Sequence, residues 1–105
     1  MEEFKQYREV AGDVTFAVKQ GYVNNYVLTA NSNKAITAPA GAKYALFSAD
    51  ADIWVLMGGV ASIPSGDVSD GSGSELNPIA RRVESGQTIG IISDYAAKVS
   101  VVFYE

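Results

Sequence analysis

The chain has 105 residues and a net charge of −4, from 8 basic and 12 acidic side chains, and is 48% hydrophobic and 19% charged with 10 Gly and 6 Tyr. It contains no Cys and no His, which excludes disulfides, thiol redox chemistry, the usual zinc sites, His-ligated haem and any triad built on an imidazole or thiolate. Lys19, Lys34, Lys43, Arg81, Arg82 and Lys98 are scattered, so no basic cluster invites a phosphate backbone, and no apolar run approaches the roughly 20 residues that cross a bilayer.

The length suits one domain with one core. Residues 1–20 read as an N-terminal arm or short helix. Phe4, Tyr7 and Ala11 fall near helical spacing, Gly12 would end such a helix, and an extended arm fits equally well. Phe4 and Tyr7 are the aromatic pair that would dock it. No charged-then-apolar stretch follows Met1, so the expectation is a soluble protein made in a cytoplasm.

Residues 21–105 read as a single β domain. Tyr26–Ala30 and Ala35–Ala38 are short strands around Asn31, Ser32 and Asn33, side chains that bond their own backbone in turns, and this spacing predicts a hairpin. Ala38-Pro39-Ala40-Gly41 then places Pro second and Gly fourth in a turn. Tyr44–Ala49 and Ile53–Met57 follow, joined by an Asp50-Ala51-Asp52 corner. Both are apolar on both faces: Trp54 and Leu56 look one way, Ile53, Val55 and Met57 the other. A two-layer β domain covers one face of each sheet, so the second apolar face implies another cover, either a partner subunit or the arm folded back.

Residues 62–78, rich in Gly, Ser and Pro, read as a long loop serving as a contact surface or a mobile tip. Pro78–Val83 has the marks of an edge strand, with Arg81 and Arg82 opposing unwanted pairing and Glu75 or Glu84 as salt-bridge partners. Gln87–Ser93 and Ala97–Tyr104 complete the set, the latter with Val99, Val101 and Phe103 on one face, and Gly90 marking a bulge or a close backbone approach. The whole predicts an all-β antiparallel β-sandwich or jelly-roll-like barrel of about eight short strands.

Candidate chemistry is sparse. Asp50 and Asp52 would share a face on a strand and suit an acid–base pair, but paired carboxylates at a corner are ordinarily solvated turn residues. Asp67, Asp70 and Glu75 supply hard oxygens around Gly71 and Gly73 without the spacing of an EF-hand loop. Trp54 with Tyr44 and Tyr95 would serve as a sugar-stacking platform, yet Ile53 and Val55 flank Trp54 where polar groups are wanted. No catalytic, cofactor-binding or metal-ligating residue is assigned.

The block Ile36-Thr-Ala-Pro-Ala-Gly-Ala-Lys-Tyr-Ala-Leu-Phe-Ser48, followed by Trp54, Pro64 and Asp70-Gly-Ser-Gly-Ser-Glu-Leu-Asn-Pro78, resembles small virion proteins of tailed bacteriophages. The resemblance spans residues 35–104 and leaves out the first twenty. It implies a non-enzymatic virion structural protein without cofactors that decorates or stabilises the capsid surface. Its partners would be copies of itself, as a dimer or trimer, and the major capsid protein, with no nucleic acid or membrane. Phe4, Tyr7, Tyr44, Trp54, Leu56 and Tyr104 would be the interface residues. A carbohydrate-binding β-sandwich module and a tail or neck component are the alternatives.

Overall fold

The computed structural model describes residues 18–105. These form eight strands and no helix: β1 Val18–Val27, β2 Lys34–Thr37, β3 Tyr44–Ala49, β4 Trp54–Met57, β5 Glu75–Leu76, β6 Ala80–Arg82, β7 Thr88–Ile92 and β8 Lys98–Tyr104. Phe4, Tyr7 and most of the arm expected over 1–20 lie outside the described residues, and residues 18–20 already belong to β1.

The strands make two four-stranded sheets, ordered β1-β8-β3-β6 and β2-β7-β4-β5, and every ladder is antiparallel. The ladders are nested. β1 pairs with β8, β2 with β7, β3 with β6 and β4 with β5, which is the order of a long hairpin rolled into a double-sheet jelly roll. No ladder joins one sheet to the other among the described residues, so the fold is a sandwich and not a closed barrel.

Period-two alternation supplies the core. Val99, Val101 and Phe103 of β8, Ala45 and Phe47 of β3, Val55 of β4 and Ile89 and Ile91 of β7 are all buried between the sheets. Tyr22 packs edge-on against Phe103, with ring centroids 6.0 Å apart and planes at 89°, a geometry that adds about 1 kcal/mol to the area buried.

The expected hairpin over residues 26–38 does not form. β1 and β2 lie in different sheets. The link between them is held by the far end of the roll: the Leu28 amide donates to the Ala97 carbonyl at 2.7 Å and the Asn31 amide to the Ser93 carbonyl at 2.7 Å. Leu28 is buried at that crossing, and Asn31 takes the left-handed conformation with φ 60°. The turn before β3 also sits one residue later than its sequence reads. Ala42 donates to the Pro39 carbonyl at 3.1 Å, and Gly41 is third in the turn with φ 86°, the position where only a residue free of Cβ is unstrained.

Candidate functional site: the outer faces of the two sheets

Each sheet turns one face outward, and the two outer faces differ. On the β1-β8-β3-β6 sheet the register aligns side chains in rows across the strands. Val23 lies opposite Val102, Val102 opposite Leu46, and Leu46 opposite Ala80, giving an unbroken apolar row from edge to edge. The neighbouring row toward one end is Tyr104, Tyr44 and Arg82. Toward the other end come Asn25, Ser100 and Ser48, then Val27 beside Lys98. Val23 is 50% exposed and Val27 67%. A groove of about 530 Å³ lies at this polar end, lined among others by Val27, Ser48, Lys98 and Ser100.

On the β2-β7-β4-β5 sheet the outer row contains Trp54 opposite Ile92 on one side and Leu76 on the other, with Leu56 opposite Gly90. Here the chain covers its own sheet. After β4, Gly58 with φ 88° turns the backbone back, and its amide donates to the Thr88 carbonyl at 2.7 Å. Gly59 and Ala61 then cross above Gly90 so closely that a Cβ there would collide with the Gly59 carbonyl oxygen and the Ala61 nitrogen. Asn33 Oδ1 accepts the Ala61 amide at 2.8 Å and locks the crossing. Gly90 thus marks a close approach, one of the two meanings its place in a strand allows.

The segment continues over Trp54. A cleft of about 340 Å³ is lined by Trp54, Pro64, Val68, Ser62, Ser72 and Ser74 together with Gly66 and Gly73. Its far wall is braced internally. Asp70 Oδ1 accepts from both the Ser72 hydroxyl at 2.6 Å and the Ser72 amide at 3.0 Å, while Ser74 Oγ accepts the Ser62 amide at 3.0 Å. The Ser72 hydroxyl, and then its amide, hold the Asp70 carboxyl below the usual aspartate range. Beyond β5, Asn77 clamps the loop to the corner. Its Oδ1 accepts the Ile53 amide at 2.9 Å, its own amide donates to the Ile53 carbonyl at 2.8 Å, and its Nδ2 donates to Asp52 at 2.9 Å.

The residues singled out for an interface therefore fall on two surfaces. Tyr44 and Tyr104 face each other across the β3–β8 ladder on one sheet. Trp54 and Leu56 lie on the other, half-buried, with the chain's own segment beside them. Val23, Leu46 and Val102 are the residues that sequence reasoning passed over. Their signal was present in Leu46, which shares a face with Tyr44, and in Val102, an apolar residue at an outward position of β8. What the sequence does not carry is the register that lines them up.

The carboxylates are occupied separately. Asp50 Oδ1 accepts the Lys98 amide at 2.8 Å, and Asp52 accepts from Asn77. Arg81 binds Glu75 through two nitrogens, one at 2.8 Å, tying the edge strand of one sheet to the edge strand of the other. Among the described residues no three acidic side chains gather as metal ligands. The chain matches no protein-family model, no curated protein and no solved structure.

Proposed function

We propose that the protein is a non-enzymatic structural component of a tailed-bacteriophage virion, decorating or stabilising the capsid surface through contacts with copies of itself and with the major capsid protein. The sequence resemblance supplies the context. The observation that carries the reading is the apolar row Val23, Val102, Leu46 and Ala80, flanked by Tyr44 and Tyr104, on the outer face of the β1-β8-β3-β6 sheet.

A sandwich needs one apolar face per sheet for its own core, so a second one suits contact with another protein. Aromatic residues beside aliphatic ones, with charge kept to the margin, are the composition of an interface centre. The scale of the contact favours assembly in many copies. Completing the burial of Val23, Val102 and Leu46 contributes on the order of 3 to 5 kcal/mol per copy, against about 4 to 15 kcal/mol lost on association. A single contact is weak, and a symmetric ring or lattice makes it sufficient.

Absolute mass by light scattering coupled to size exclusion, across a hundredfold dilution, tests the self-association. A dimer or trimer is expected for the native chain and a folded monomer for Leu46→Lys. Labelled electron microscopy of particles then tests the location. A native chain that stays monomeric and is missing from the head surface would overturn the proposal.

A further inference from the structure

We infer that the cleft over Trp54 is a saccharide-binding site for a neutral mono- or disaccharide. This goes beyond the structural role and rests on a different sheet. Sugar recognition needs an apolar ring face for the C–H surface of the pyranose and hydroxyl or amide partners at its edge. The sequence places Ile53 and Val55 beside Trp54, which argues against a platform. The fold reverses that reading, because those two side chains point into the core and are buried. The neighbours Trp54 meets across the cleft are instead Ser62, Ser72 and Ser74, with Pro64 and Val68 as apolar wall.

Polar capacity is left over inside the cleft. The Trp54 indole N–H and the Ser62 hydroxyl have no hydrogen-bond partner among the described residues, and Ser74 Oγ accepts from the Ser62 amide while its own proton stays available. The cleft is also preformed. Asn33, Asn77 and the Asp70–Ser72 bonds fix its wall before any ligand arrives, so little ordering cost opposes binding. At about 340 Å³ it stands at the small end of ligand sites, the size of one or two sugar rings. Asp67 and Asp70 on the same loop are exposed, in a chain of net charge −4, and disfavour acidic sugars.

The chain has 1 Trp, so its emission reports on this cleft alone. The native protein is titrated with glucose, galactose, N-acetylglucosamine and cellobiose at millimolar concentration, with glucuronic acid as the acidic comparison and glycerol as the control. A saturable change in Trp54 emission is expected for at least one neutral sugar, weaker for glucuronic acid and absent for glycerol. By calorimetry Ser62→Ala should bind roughly three- to tenfold more weakly and Trp54→Ala should lose binding, with circular dichroism confirming that both variants fold. Failure of all four neutral sugars to give saturation, or unchanged affinity in folded Ser62→Ala and Trp54→Ala, would overturn the assignment. These outcomes are independent of the protein's oligomeric state and of its place on a particle.

Discussion

Gly90 shows how one missing carbon shapes the molecule. It is the position where the chain after β4 crosses its own sheet, and the space a methyl group would need is held by two backbone atoms and by Asn33 Oδ1. Backbone cannot step aside as a flexible side chain does. Gly90→Ala is therefore expected to destabilise the fold by about 2 to 3 kcal/mol, at the upper end of the usual cost of overpacking, read as a lower urea midpoint. Gly66, with open space around its Cβ position, is the matched control and should change stability little when made Ala. Asp70 couples its loop to pH through the hydrogen bonds from Ser72. Ser72 depresses its pKa, so any stability this pair contributes is present above the ordinary aspartate pKa and is lost as pH falls through the lower folded value. A carboxyl-carbon NMR titration should place the Asp70 midpoint below that of an ordinary aspartate, and Ser72→Ala should move it back up.

At the scale of elements, the segment from Gly58 to Asn77 carries the functional argument. Sequence reasoning reads residues 62–78 as a long loop, because Gly, Ser and Pro dominate them and no apolar period runs through them, whereas in the structure Glu75–Leu76 form the strand β5 within that range. Its placement was not legible. A loop tied down by hydrogen bonds to Asn33, Ile53 and Thr88 leaves no hydrophobic pattern to follow. The two-residue β5 inside it is too short to show alternation. Asn77 is the clamp, and it holds a left-handed φ of 48°. Asn77→Gly keeps that backbone and removes the side-chain bonds to Ile53 and Asp52, so a loss of about 1 to 2 kcal/mol is expected. Asn77→Ala adds the conformational strain and should cost roughly 1 kcal/mol more. Denaturant melts of the pair separate the two effects, and hydrogen exchange of the Ile53 amide should speed up in both.

The whole molecule is a roll, and this decides which parts of it a reader of the sequence could find. β3 and β8 are legible to the residue or nearly so, β8 because Val99, Val101 and Phe103 alternate along a half-buried strand, β3 because a short run apolar on both faces is closed off by turn chemistry at either end. β1 begins eight residues before the Tyr26 start read from sequence, since Asn24 and Asn25 interrupt any apolar pattern while the ladder with β8 continues through them. The absent hairpin has the same origin. Apart from β4 to β5, each consecutive pair of strands crosses from one sheet to the other, so neighbours in the chain are not partners in a ladder. Local turn chemistry reports that the chain bends at Asn31, not where the next strand goes. The outer rows inherit this limit: each of Val23, Leu46 and Val102 is an unremarkable residue, and only a pairing of distant strands makes them a surface.

The nesting of the ladders also orders events in time. β1 has no partner except β8, and β2 none except β7, among the described residues. When the chain emerges from a ribosome, its first two strands must wait for its last two, while β4 with β5 and β3 with β6 can meet much earlier. The middle of the sequence is thus the natural starting point and the outer strands close afterwards, at the pace of long-range pairing. A nascent chain halted before β7 would hold β1 and β2 as open edges, the condition under which strands pair with the wrong molecule.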